Sequence, residues 1–67
     1  MYRVSYRKSF DNRCGFKELD GLWYLAGDAS MYANAIQEAG VAVAYVIDEN
    51  GAVVYDAQFG KWLKDVR

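Results

Sequence analysis

Two runs rich in β-branched and aromatic residues, 41–47 and 52–59, flank Asp48-Glu49-Asn50-Gly51, and this pattern restricts the fold more than any other feature of the chain. It reads as a β-hairpin, because Asp, Asn and Gly accept the backbone conformations that a tight turn needs. Two turns fit the residues. A two-residue turn over Asn50-Gly51 pairs Tyr45 with Asp56 and mixes large apolar groups with charges on each face. A turn over Glu49-Asn50, with Gly51 in a left-handed bulge position, pairs Asp48 with Ala52, Ile47 with Val53 and Tyr45 with Tyr55. Val41, Val43, Tyr45, Ile47, Val53, Tyr55, Ala57 and Phe59 then share one face, and Ala42, Ala44, Val46, Asp48, Ala52, Val54, Asp56 and Gln58 the other. The bulged turn sorts the side chains and is the predicted one, since a one-residue slip exchanges every side chain between faces.

The rest of the chain is read against this hairpin. Tyr2, Val4 and Tyr6 alternate with Arg3, Ser5 and Arg7, which predicts a half-buried strand. Residues 11–15, including Cys14, are turn-forming. Residues 16–20 fit either a hairpin extension or a loop, and 22–26, between Gly21 and Gly27, read as a second strand. Asp28 is placed to N-cap a helix, with Ser30 as the competing cap. Ala29, Tyr32, Ala33 and Ile36 would form its buried stripe, Asn34, Gln37 and Glu38 would point outward, and Gly40 suits the position that ends it. Trp62, Leu63 and Val66 suggest a short helical turn, with Lys61, Lys64 and Arg67 facing water.

The expected architecture is α+β: a single domain over 1–67, β-β-α-β-β, with an antiparallel sheet, one helix packed on one face and a short C-terminal helical turn. The large hairpin face, extended by Tyr2, Val4 and Tyr6, is expected under the helix. The reverse also fits, because small residues let a helix approach closely. With 67 residues and 54% hydrophobic content, the chain is too apolar for disorder and small for a self-supporting core. One helix covers one sheet face, so a homodimer or a larger closed ring is expected, formed through the uncovered face or an edge strand.

Composition excludes several chemistries. There is no histidine, which removes Ser-His-Asp and Cys-His catalysis and histidine metal sites. The single cysteine, Cys14, can form neither an internal disulfide nor a zinc site. No phosphate-binding glycine motif occurs. Residues 48–51 do not match a calcium loop, in which glycine is sixth and glutamate twelfth; here Gly51 would be fourth and Phe59 twelfth. The longest apolar run, 41–47, is far short of the ~20 residues that span a bilayer. The N-terminus shows no apolar leader segment. A non-enzymatic cytoplasmic protein is expected, without cofactor, metal or membrane contact.

Charge is distributed unevenly. Residues 1–17 carry Arg3, Arg7, Lys8, Arg13 and Lys17 against Asp11. Residues 18–58 carry Glu18, Asp20, Asp28, Glu38, Asp48, Glu49 and Asp56 with no Lys or Arg. Residues 59–67 carry Lys61, Lys64 and Arg67 against Asp65. The expected activity is therefore protein binding, with Asp28, Glu38, Asp48, Glu49 and Asp56 presented to a partner with a basic surface. One such role is that of a phage- or plasmid-type inhibitor occupying the basic cleft of a nucleic-acid-handling partner. The alternative is a nucleic-acid binder using Arg3, Arg7, Lys8 and Arg13. It is disfavoured because Tyr2 and Tyr6 fall on the face opposite the arginines and the sequence pI is about 5.1. A third reading is a structural subunit of a homo-oligomer.

Overall fold

The alternating N-terminal residues form β1 (Arg3–Arg7), the first strand of a wholly antiparallel sheet. The computed structural model describes residues 1–11, 13 and 15–64; Cys14 and the Val66 and Arg67 of the expected terminal turn lie outside the described residues. β2 (Lys17–Glu18), α1 (Ala26–Glu38), β3 (Val43–Ile47), β4 (Val53–Asp56) and β5 (Lys61–Trp62) follow in the chain. The spatial order is β2-β1-β3-β4-β5, and α1 lies across one face. The α+β class with an antiparallel sheet is thus the observed one. Among the described residues, no helix is long and apolar enough to cross a membrane.

The second strand differs from expectation. Residues 17–18, not 22–26, pair with β1, with Ser5 opposite Glu18 and Tyr6 opposite Lys17. The 22–26 segment contributes a single bridge, Tyr2 to Trp23, in which each N–H donates to the other's carbonyl at 2.7 and 3.0 Å. Both contacts use the same edge of β1, and Leu19 N–H donates to Val4 O between them at 2.9 Å. Gly21 makes the bend from one to the other. Its φ is +132°, and a Cβ there would lie 3.1 Å from the Trp23 ring.

α1 begins two residues before the predicted cap. Leu25 occupies the N-cap position in an extended conformation with no side-chain cap. Buried Ala26 anchors the first turn, which leaves Asp28 inside that turn, where its charge opposes the helix dipole favourably. Ser30 cannot cap, because its hydroxyl donates back to Gly27 O at 2.6 Å. The helix ends as expected, with Gly40 at φ +107°.

The buried stripe is rotated from the predicted one. Ala26, Ala29, Ser30 and Ala33 are buried, Ile36 is half-buried and Tyr32 is exposed. Asn34 and Gln37, expected to face water, turn toward the protein. Asn34 Oδ1 accepts the Tyr55 hydroxyl at 2.7 Å, and Gln37 Nε2 donates to Val41 O at 3.0 Å. The reason lies in the sheet. β1 and β3 pair with Val4 opposite Val46 and Tyr6 opposite Ala44, so the small-residue face of the hairpin lies under the helix. Ala29, Ala33, Ala44, Val4 and Val46 are fully buried together, and the reversed assignment is the correct one. An interface of alanine and valine seats the helix close to the strands and leaves no space for Tyr32.

The hairpin turn is as predicted, and so is the register as far as the Ile47–Val53 pair, but not beyond it. Asp48 N–H donates to Ala52 O at 2.9 Å, Gly51 N–H donates to Asp48 O at 3.0 Å, and Gly51 has φ +83°. Ile47 pairs with Val53; the register then shifts, and Val46 faces Tyr55 while Tyr45 faces Asp56. The predicted Tyr45–Tyr55 pair is therefore absent. Val54 is the extra residue of a β-bulge, which strict alternation does not reveal. It carries both Val54 and Tyr55 into the core and moves Asp56 to the uncovered face. β4 then ends three residues before Phe59. Asp56 Oδ1 accepts Gln58 N–H at 2.9 Å, the chain turns, and Lys61 returns opposite Asp56. Thus 61–62 form a strand where a helical turn was expected; Trp62 packs against Tyr55 in a tilted ring pair with centroids 4.6 Å apart.

Two substitutions test this packing. Ala33→Leu should lower stability by about 1–3 kcal/mol by prising α1 from β1 and β3. Gly51→Val should cost about 1–2 kcal/mol through its positive φ alone, since a Cβ there meets nothing within 4 Å. Urea denaturation measures both; an Ala33→Leu variant as stable as wild type would contradict the close approach.

Candidate interaction surfaces

The five acidic residues expected to bind a partner do not form one cluster. Asp28 and Glu38 lie in the first and last turns of α1, about 15 Å apart along its axis. Asp48 and Glu49 lie at the hairpin tip, and Asp56 lies on the uncovered sheet face. Three of them have structural work. Asp48 Oδ1 accepts the N–H groups of Asn50 and Ala52, both at 2.9 Å, and Oδ2 lies 3.9 Å from Lys64 Nζ. Glu49 pairs with the terminal amine of Met1 at 2.6 Å. Asp56 fixes the turn into β5 and faces Lys61.

A groove of about 450 Å³ lies at the hairpin tip, lined by Met1, Arg3, Glu18, Leu22, Ile47, Asp48, Glu49 and Gly51. Its charges are largely satisfied internally, since Glu18 approaches Arg3 at 3.7 Å and both tip carboxylates are engaged. Exposed pairs of this kind contribute little to stability and screen one another's field. Among the described residues, no group of three or more Cys, Asp or Glu is placed to hold a metal ion.

The outer side of α1 is different. Met31 is 68% exposed and Tyr32 51%, and the segment leading into the helix exposes Tyr24 (82%) and Leu25 (63%). Tyr32 is held at one flank by Trp23, with ring centroids 5.0 Å apart. Asp28, Met31 and Ala35 follow at helical spacing on the solvent side, and Glu38 closes the row. Every charge that α1 carries is negative. Tyr32, predicted for the buried stripe, lies beside this row instead.

The sheet face opposite α1 carries no helix, although side chains close over Ser5 and Val43, which are buried on it. Register places Arg3, Ser5 and Arg7 of β1 on it with Val43, Tyr45 and Ile47 of β3. Tyr2 and Tyr6 do lie on the opposite face, as expected. Other aromatic residues, however, join the arginines: the Phe16 ring, 55% exposed, meets Tyr45 at a centroid distance of 5.9 Å. Phe16 comes from the segment that the sequence left between hairpin and loop, so this pair could not be foreseen. Arg7 Nη2 donates to Asp11 O at 2.6 Å and to Phe10 O at 3.4 Å, tying the following loop to the end of the face.

No family model matches the chain, and no curated protein or solved structure is detectably similar to it.

The two kinds of acidic residue separate in a stability measurement. Asp48→Ala should lower stability by about 1 kcal/mol, because two backbone N–H groups lose their acceptor at the turn. Asp28→Lys, on the open helix face, should change it by less, through the helix dipole alone. Equal stability of Asp48→Ala and wild type would remove the structural role of this carboxylate.

Proposed function

We propose that this chain is a non-enzymatic protein-binding module that docks the outer side of α1 on a basic, partly apolar partner surface. The observation that supports this reading is the exposed row of Tyr24, Leu25, Met31 and Tyr32 set beside Asp28, in a helix without a basic residue. Exposed large apolar side chains grouped on one surface mark interaction sites, and aromatic and methionine residues are enriched in them. The single sign of the flanking charges selects the partner: a basic surface is attracted and an acidic one repelled. Asp28 and Glu38 thus carry the acidic contribution on this face, while Asp48, Glu49 and Asp56 are engaged in the hairpin tip and the turn into β5. A basic cleft that ordinarily receives a nucleic-acid backbone has the complementary chemistry, and occupation of such a cleft would make the protein an inhibitor.

A titration followed by amide NMR tests the docking surface, with a basic amphipathic helical peptide as the probe. Shifts should concentrate on residues 24–38, weaken with added salt, and be lost in Asp28→Lys combined with Met31→Ser. That variant should retain the wild-type fold, because both side chains face solvent. Absence of shifts at low salt, or shifts unaffected by the double substitution, would refute the helix face as the docking surface.

A further inference from the structure

We propose that the uncovered sheet face is a binding site for single-stranded nucleic acid, with Phe16 and Tyr45 as the base-stacking platform. This activity is separate from the docking of α1 and uses the opposite side of the molecule. The inference begins with strand register. Ser5 is paired on one side with Glu18 and on the other with Tyr45. It is a small residue between two neighbouring strands, which lets Phe16 and Tyr45 approach above β1 until their centroids are 5.9 Å apart. The rings are tilted by 34°, and Phe16 remains more than half exposed. An exposed aromatic ring set beside a second ring on the same face is a surface on which any base can stack, whatever its sequence.

The surrounding charge matches a phosphate backbone. Arg3 and Arg7 stand on the same face, and Lys61 faces it from β5. The loop tied down by Arg7 at one end of the face carries exposed Lys8 and Arg13 together with Asp11. Glu18 and Asp56 also lie on this face; Glu18 approaches Arg3 at 3.7 Å, and Asp56 is paired with Lys61 in register. The carboxylates of α1 are on the far side of the sheet. The resulting cation excess is modest, so binding should be sequence-tolerant and strongly weakened by salt. Charge favours this occupant over a second copy of the chain, because a second copy would bring Arg3 and Arg7 against the same cations, whereas a nucleotide strand brings phosphates.

Fluorescence anisotropy with labelled oligothymidylate and oligouridylate of about ten nucleotides tests the site. Wild type should bind one or both at low ionic strength, and either sugar satisfies the proposal. Phe16→Ala should weaken binding about tenfold, the loss of one stacked base. Lys8→Ala combined with Arg13→Ala should reduce the salt dependence. Met31→Ser, on the other side of the molecule, should bind as wild type does. An abasic strand of equal length should bind about tenfold more weakly than either oligonucleotide. Circular dichroism confirms that each variant is folded. The proposal is overturned by absence of wild-type binding, by equal affinity for the abasic strand, or by undiminished binding in folded Phe16→Ala. A dimer by light scattering that shields Phe16 and binds no oligonucleotide would assign the face to a second copy instead.

Discussion

The distance between α1 and the sheet determines nearly everything else in this domain, and alanine sets that distance. Ala29 and Ala33 on the helix are buried against Val4, Ala44 and Val46 on the two central strands. Such an interface gives good dispersion contact with little apolar volume. Its largest fully buried side chains are valines at 4, 46 and 54, each contributing about 1.5–3 kcal/mol. In a chain this short, most of the large apolar residues must then find places elsewhere. Tyr2, Tyr6, Trp23 and Trp62 pack around the margin of the core, and Tyr24, Leu25, Met31, Phe16 and Phe59 reach solvent. The two candidate surfaces are therefore a consequence of the tight helix contact. A bulkier core would have drawn these side chains inward.

The β-bulge at Val54 adjusts the sheet to this helix. Without it, Tyr55 would share a face with Tyr45 and Ile47, and α1 would meet only small residues along the hairpin. With it, Tyr55 lies on the helix side, its hydroxyl reaches Asn34, and its ring supports Trp62. One extra residue thus links the end strand to the helix and closes the core on that side. Asp56 moves to the uncovered face as a result, in register with Lys61 of β5. The bulge and the short β5 strand belong to one structural solution.

These relations explain which parts of the fold could be read in the sequence. The turn at 48–51 was legible because Asp48 and Gly51 specify it locally, through side-chain acceptance and positive φ. The end of α1 at Gly40 was legible for the same reason. The register beyond Ile47 was not, because a bulge breaks the alternation on which face assignment rests, and Val53-Val54 looks alike in either phase. The predicted stripe at 29, 32, 33 and 36 has the correct spacing but follows from a cap at Asp28; with α1 beginning at Ala26 the same spacing gives 26, 29, 30 and 33, and the close approach that Ala29 and Ala33 permit excludes Tyr32. The start of β2 could not be read either, since 17–18 and 22–26 compete for one edge of β1 and both use it.

The candidate surfaces follow the same division between local and non-local information. The run of residues 18–58 without a basic side chain was visible at once, but sequence proximity could not show that Asp48 and Asp56 serve their own turns while Asp28 and Glu38 remain open on α1. Nor could it show that Phe16 and Tyr45, far apart in the chain, meet over Ser5. In the folded protein the charge asymmetry of the sequence becomes an asymmetry between sides. The N-terminal strand and its loop supply cations to the open sheet face, whereas α1 supplies only anions to the other. A sheet covered by a single helix is about one layer thick on each side, so these opposite fields lie close together. They do not cancel at their own surfaces, because each is exposed to solvent on its own side and screened from the other within about a Debye length of 8–10 Å. The α1 side therefore presents carboxylates beside exposed Tyr24, Leu25 and Met31, and the sheet side presents Arg3 and Arg7 beside Phe16 and Tyr45.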